Sequence, residues 1–330
     1  MADFDRGPSL MSKYVWLIET VYRAKRIPFK EINELWRENK DLSRGENLPV
    51  RTFNNWRAAI LDIFGVCIEN EHCGEYPYYI ENEDDIRKNG LSSWIFNTFC
   101  VGNALTGSQS IKNRILLEHI PSGHIYLRPI IEAMKENRML NITYYSYWRN
   151  EEYNFDVQPY CVKLYRQRWY MVALSEGYDE PRIYALDRIR QLSVTDVTFK
   201  MPKNWSAEQY FDGCFGIIAN KDIHKQIIKL KVMADQARYI RDLPLHESQQ
   251  EIDRNDDYSI FQYYLRPQFD FVQELLHSGD AIEVLQPSSL RHEMAEIVNN
   301  MHNIYNNNTL LSTKNCGRLI NKIFKQTRFT

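Results

Sequence analysis

The chain has 330 residues, 44% of them apolar and 13% aromatic, and a formal net charge of −2. That length divides into two or three domains with ample material for cores. Near-neutrality excludes a global field that would draw the chain to nucleic acid, so any such binding must use local patches.

The first segment predicts three helices and a hairpin. Leu10, Tyr14, Leu17, Ile18 and Val21 share one helical face. Pro28 can open a second helix with Phe29, Ile32, Leu35 and Trp36 inward. A polar connection over 39–47, containing Gly45, leads to Pro49, which opens a third helix, VRTFNNWRAAILDIFG, ending near Gly65. Phe53, Trp56, Ile60 and Ile63 are spaced for its buried face, and Arg51, Asn54, Asn55 and Ala58 for the opposite one. Residues 66–70 and 76–81 read as two strands around Gly74.

In this order the elements make a winged helix-turn-helix over 1–82. Its third helix carries residue types that suit base edges: arginine pairs with guanine and asparagine with adenine. The candidate DNA-binding residues are Arg51, Asn54, Asn55 and Arg57, with Lys25, Arg26, Lys30 and Arg44 able to touch phosphates. An ordinary three-helix bundle with a solvated polar face remains the alternative. The connection between the second and third helices is longer than a usual helix-turn-helix turn.

A linker over 83–140 follows. It begins with charged residues at 83–88 and contains amphipathic helices over 91–105 and 127–138 and an extended piece at 111–117. From 142 to 216 short strands alternate aromatic and β-branched residues with polar ones, and Arg166, Arg168, Arg182, Arg188 and Arg190 recur along them. A small barrel or curled sheet with arginines at its rim is an anion-binding surface. Strand alternation puts Arg166 and Arg168 on one face, and Arg188 and Arg190 likewise. If those strands are neighbours, four guanidiniums converge with no acidic partner on their face. The duller possibility is that Glu180, Asp187 and Asp196 neutralise them in surface pairs.

This stretch carries Gln158-Pro159, Trp169-Tyr170-Met171, the run from Tyr184 to Ile189 (YALDRI), and Tyr210 to Gly216. In these it closely resembles the WYL domain, the ligand-sensing module of a large family of bacterial transcription regulators. Met171 stands where the family's name tripeptide has leucine, a change that keeps volume and apolarity. The resemblance implies a small SH3/Sm-like β-barrel over 141–220 and a groove for nucleic acid or nucleotide-like ligands. The groove candidates are Tyr145, Tyr147, Tyr165, Arg166, Arg168, Tyr184, Arg188 and Arg190, carried over most firmly for Tyr184 and Arg188 and least for Tyr145 and Tyr147. Trp169, Tyr170, Leu186 and Ile189 are expected to be largely core. Family members commonly carry an N-terminal winged helix, which favours that reading of 1–82.

Over 221–305 the order is strand (227–232), helix (235–241), hairpin (247–254 and 258–265), helix (268–277, ended by Gly279), strand (281–285) and helix (288–305). That is the ferredoxin-like arrangement. It also resembles the extension found beside WYL domains, which implies dimer contacts. The tail, 306–330, is basic through Lys314, Arg318, Lys322, Lys325 and Arg328.

No P-loop, GxSxG or HExxH occurs, and Cys67, Cys73, Cys100, Cys161, Cys214 and Cys316 show neither CxxC nor zinc-ligand spacing. The expectation is therefore no catalytic residue, no metal, no cofactor and no enzyme. Scattered cysteines suit reduced thiols in a cytosol. The start, MADFDRGPSL, lacks a secretory pattern, and no apolar run is long enough to span a membrane, so a cytoplasmic protein is expected. The fold class is α+β and multidomain. The function read from the sequence is a homodimeric transcription regulator on a double-stranded DNA operator, its WYL domain sensing a nucleic-acid or nucleotide ligand. The alternative is a single-strand-binding accessory protein of a phage-defence system.

Overall fold

The computed structural model describes residues 10–71, 74–83, 94–95, 97–99, 101–102, 114–116, 123–147 and 149–306. It divides into two compact units, Met1–Glu118 and His119–Thr330. The expected extended piece at 111–117 and the basic tail from 307 lie largely or wholly outside the described residues. Of the expected helix at 91–105, residues 94–95, 97–99 and 101–102 are described and helical.

In the first unit α1 (Leu10–Ala24) buries Tyr14, Val15, Leu17, Ile18 and Val21. Leu10, expected on that face, is exposed at the helix's first described residue. Pro28 caps α2 (Phe29–Glu38) with a φ of −71°, the value its ring imposes. Ile32 and Trp36 are buried, whereas Leu35 is exposed. The polar connection contains a single helical turn, α3 (Lys40–Ser43), started by Asn39, whose side-chain oxygen accepts from Leu42 N at 3.3 Å. Such a turn has no apolar periodicity to reveal it.

Pro49 opens α4 (Val50–Phe64), and Gly65, in the left-handed region at φ 66°, ends it. Its buried residues are Phe53, Trp56, Ile60 and Phe64. Ile63, expected inward, is exposed. Phe64, four residues after Ile60, continues the buried row instead. Trp36 meets Trp16 and Trp56 edge-on at centroid distances of 5.0 and 5.2 Å, a geometry that adds to the area buried. The hairpin strands β1 (Ile68–Asn70) and β2 (Tyr78–Ile80) are shorter than expected and pair antiparallel. Ile27, between α1 and α2, bridges Tyr78 and gives the ribbon a third member.

Among its described residues the second unit has two sheets. The first has five strands in the order β6-β5-β4-β3-β7: β3 (Arg138–Ser146), β4 (Glu151–Tyr165), β5 (Arg168–Ser175), β6 (Arg182–Ala185) and β7 (Ile189–Thr198), all antiparallel. Among the described residues no ladder joins β6 to β7; a 3-10 turn over Leu186–Arg188 carries the chain between these edges. β4 bends at a bulge between Pro159 and Cys161, where a residue without an N–H fits a ladder. α5 (Leu127–Glu136), placed in the linker by the sequence, contributes Ile130 and Ala133 to this sheet's core, with Leu140, Ile142, Val157, Met171 and Leu186.

A short helix, α6 (Ala207–Tyr210), leads to the second sheet, β11-β8-β10-β9. Its strands are β8 (Gln226–Met233), β9 (Gln250–Arg254), β10 (Tyr258–Leu265) and β11 (Ile282–Gln286), with α7 (Ala234–Asp242) after β8, α8 (Phe269–His277) after β10 and α9 (Ser288–Asn306) last. Their order along the chain is the one expected. Ile228, Leu230, Val232, Phe261, Tyr263 and Leu265 face one core with Ala237, Ile240, Phe271, Leu275, Leu290 and Ile297 from the helices.

Gly216 sits where the two sheets join. Lys163 Nζ of β4 donates to its carbonyl at 2.6 Å, and the Asp270 carboxylate of α8 accepts from Ile218 N at 3.2 Å. A Cβ on Gly216 would stand 2.4 Å from Asp270 Oδ2 and 2.7 Å from the Tyr165 ring. Gly216→Ala should therefore lower unfolding free energy by about 1–3 kcal/mol, the range for overpacking, as read by urea denaturation.

Candidate nucleic-acid and ligand surfaces

In the first unit Arg51, Asn54, Asn55 and Ala58 of α4 are all exposed, as the helical spacing predicts. Arg57 is not part of that face. Its Nε donates to Ile68 O at 2.7 Å and its guanidinium also contacts Glu69 at 3.1 Å, with the Tyr78 ring 5.1 Å away. One residue away from the exposed row, it turns toward the hairpin and fastens α4 to it. Lys25 and Arg26 are likewise paired, with Glu83 and Glu71.

In the second unit the arginines do not behave as four free charges. Arg166 and Gln167 form the two-residue β4–β5 turn, with φ of 47° and 63°. Strand alternation thus does not apply to Arg166, whose guanidinium pairs with Glu274 of α8. Arg168, the first residue of β5, donates to Asp187 Oδ2 at 2.6 Å. Arg190 lies 3.5 Å from Glu152. The expected convergence without acids is corrected on these three. Arg188 forms no ion pair among the described residues. Of the acids named as neutralisers only Asp187 serves a site arginine; Glu180 pairs with Lys221 and Asp196 with Arg138.

The side chains that do gather lie around the 3-10 turn over Leu186–Arg188, where the curled five-stranded sheet brings the β3 and β5 ends near each other. The Arg188 guanidinium lies 3.9 Å from the Tyr147 ring centroid, Arg190 5.1 Å from Tyr145, and Arg168 5.8 Å from Tyr170. Tyr145 and Tyr147 meet edge-on at 5.6 Å, and Tyr147 is 61% exposed. Arg168 Nε, Asp187 Oδ1 and Arg188 Nε are buried without a hydrogen-bond partner among the described residues. Each such atom costs about 1–3 kcal/mol. Three of them lie in neighbouring side chains, and buried groups left unsatisfied are few in native structures.

Tyr184 is not on this surface. It is 2% exposed, its hydroxyl donates to Ser175 Oγ at 3.0 Å, and it packs between Tyr144 and Phe155. Tyr165 is half-buried beside Gly216 and burial pushes its hydroxyl up to about 12. The Trp169-Tyr170-Met171 tripeptide splits: Met171 is buried, Trp169 packs at the core's margin, and Tyr170 is half-exposed beside Arg168, so only part of it is core. Leu186 and Ile189 are buried as expected.

Three supports escaped the sequence reading. Tyr144, pushed up to about 12 by burial against the opposing pull of Arg188, accepts from Ala185 N at 3.2 Å. Gly123, at φ 63°, allows its segment to approach the Leu186–Asp187 backbone, where a Cβ would stand 2.4 Å from the Leu186 carbonyl carbon. Tyr126 donates to Arg190 O at 2.9 Å. These contacts brace the 3-10 turn from beneath. Their partners lie more than forty positions away along the chain, and only the Gly in PSGH hinted at a tight approach.

Two family models match, a WYL domain over 126–194 and a WCX domain over 224–301. The chain carries both domains. The WYL match therefore takes in α5, strands β3 to β6, the first part of β7 and the arginine–tyrosine end, and the WCX match takes in the second sheet and most of α9. Comparison with curated proteins finds no match. Among solved structures the chain is similar to proteasome accessory factor B/C (PafBC) of Arthrobacter aurescens, at 18% identity and a TM-score of 0.38, over 93% of this chain and 49% of that one. The chain thus spans about half the length of that protein. It is also similar to a CRISPR Cas-related protein, at 12% identity and a TM-score of 0.36, over 91% of this chain and 87% of that one. No helix among the described residues is long and apolar enough to cross a membrane.

Asp187→Ala should cost roughly 1–3 kcal/mol, because it strands the part-buried Arg168 without its acceptor. Arg190→Ala, with exposed contacts, should stay within about 0.5 kcal/mol. Urea titration of both variants checks the contrast.

Proposed function

We propose that this chain is a DNA-binding transcription regulator in which the arginine–tyrosine end of the WYL sheet receives a phosphate-bearing nucleic-acid or nucleotide ligand. The observation that carries the reading is the trio of buried, unpartnered atoms, Arg168 Nε, Asp187 Oδ1 and Arg188 Nε, beside Arg188 stacked on exposed Tyr147. Two donors and one acceptor call for a ligand that offers both kinds of group. A nucleotide does so, with phosphate oxygens for the guanidiniums, a sugar hydroxyl or base N–H for the carboxylate, and a ring for Tyr147. Arg188, Arg168 and Tyr147 are the contact residues in this reading. Arg190 and Tyr145 flank them, and Tyr184 and Tyr165 support from within.

The first unit would act as a winged helix, α4 entering the major groove and presenting Arg51, Asn54 and Asn55, with the Ile27–β1–β2 ribbon as its wing. Arg57 would hold reader and wing together instead of touching DNA. The second sheet would be ferredoxin-like, and the protein a cytoplasmic homodimer spanning two half-sites. In this reading it binds and does not turn over its ligand. Ligand binding would alter operator affinity by favouring one arrangement of the chain.

Selection from a random duplex library tests the operator reading. Arg51→Ala and Asn55→Ala should each cost about 1–3 kcal/mol of specific binding with unchanged melting; equal affinity in both would remove α4 as the reader. For the ligand, Arg188→Ala should weaken a labelled single-stranded oligonucleotide, and wild-type affinity should fall as salt rises. A protein that holds the single strand but selects no duplex is instead the defence-system accessory.

A further inference from the structure

All the packed helices of the WCX domain lie against one face of its sheet. The other face is formed on the two central strands by Ile227, Lys229, Lys231 and Met233 of β8 and Tyr258, Ile260, Gln262 and Tyr264 of β10. The register pairs Tyr258 with Met233, Ile260 with Lys231, Gln262 with Lys229 and Tyr264 with Ile227. An antiparallel sheet can show one face to water, but such a face then reads polar. Here five of the eight side chains are apolar or aromatic, and Ile227, Met233 and Tyr264 are each about half exposed.

The charge on this face says what would cover it. Its central strands carry two lysines and no acid. Neither Lys229 nor Lys231 forms an ion pair among the described residues. The acids on that side, Asp253 and Glu283, sit on the outer strands, and Glu283 is engaged by Arg291 at 2.7 Å. The partner must therefore be anionic.

The tyrosines say more. Lys231 Nζ lies 4.5 Å from the Tyr258 ring centroid, and Lys225 Nζ, paired with Asp212 at 2.7 Å, lies 5.1 Å from that of Tyr264. Each ring thus has an ammonium beside it. The rings are six residues apart on one strand, about 20 Å at the rise of an extended chain, with Lys229 and Lys231 across from the residues between them. Flat rings at both ends and cations between suit a strand of unpaired bases, the rings stacking on bases and the lysines meeting phosphates. We propose that this open face of the WCX sheet is a second binding platform, specific for single-stranded nucleic acid and independent of the arginine–tyrosine end of the WYL sheet.

The test uses the full chain carrying Arg188→Ala, so that binding at the WYL sheet is separately weakened. The probe is a fluorescein-labelled dodecamer of deoxythymidine with 5-iododeoxyuridine at its centre. Photo-crosslinks should map to the peptides containing Tyr258 or Tyr264. Tyr258→Leu and Tyr264→Leu should each weaken binding at least about five-fold, the lower end for one lost stacking contact. The charge reversals Lys229→Glu and Lys231→Glu, half-exposed on the strand, should weaken it too, and keep the test available if a tyrosine variant does not fold. Unchanged affinity in folded variants, or crosslinks confined to residues 145–190, overturns the proposal. So does Ile260→Lys splitting a dimer in sedimentation without loss of oligonucleotide binding, which would give the face to a second copy.

Discussion

The Arg168–Asp187 pair is the contact on which the arginine–tyrosine surface depends. At 2.6 Å it ties the first residue of β5 to the 3-10 turn that leads from β6 into β7. That turn has only three residues and two sheet edges to connect. Without a fixed point its side chains would have no reason to face one way. With Asp187 held, Arg188 projects beside Tyr147 at the end of β3, and β7 returns to pair with β3. The same pair leaves Asp187 Oδ1 and Arg168 Nε unpartnered, so the interaction that builds the surface also leaves it in deficit. Structural ion pairs usually satisfy themselves more completely. A deficit shared by three adjacent side chains separates this surface from other charged pairs of the unit, such as Lys221 and Glu180, which meet in solvent with both side chains more than half exposed.

What the sequence revealed and concealed follows from the range of the interactions involved. α4 was legible end to end because its stop and start are local: Pro49 supplies the right φ, and Gly65 the left-handed one. The WCX order was legible because strand alternation and helical periodicity are also local. Arg166 misled because a two-residue turn looks like continued strand until its backbone is seen at positive φ. Arg57 misled because helical spacing fixes direction and not partner; the hairpin that claims it begins eleven residues later. Tyr184 sits inside the motif that best matches the family, yet its partners are Ser175, Tyr144 and Phe155. A strongly patterned residue is as well explained by packing as by contact, and burial alone decides between them.

The join between the two sheets of the second unit is a contest between two kinds of contact. The Arg166–Glu274 pair crosses it at the surface, but Arg166 is 61% exposed. A pair of that kind contributes about 0–1 kcal/mol. Gly216 crosses it in the interior, where the Lys163 ammonium donates to its carbonyl and Asp270 accepts from the adjoining backbone. A charged hydrogen bond in such a place is worth about 1.5–3 kcal/mol, and the absence of a side chain at Gly216 is what lets Tyr165 and Asp270 approach. The interior contacts therefore set the geometry.

They do so at a cost in charge. Burial lowers the Lys163 pKa and raises that of Asp270, against the pull of several backbone amides. A carboxyl whose folded pKa stands above its unfolded value holds its proton more tightly in the folded state. Its relative contribution is therefore greatest at low pH and is lost as pH rises through the folded value. Asp270 is thus a poor source of stability at neutral pH and a good source of position. It specifies which backbone amides lie opposite α8, and so where the 210–218 segment must run. That segment is the chain's route from the WYL sheet to the WCX sheet. A replacement by apolar side chains could keep the join packed, but it would remove the reason for this one register.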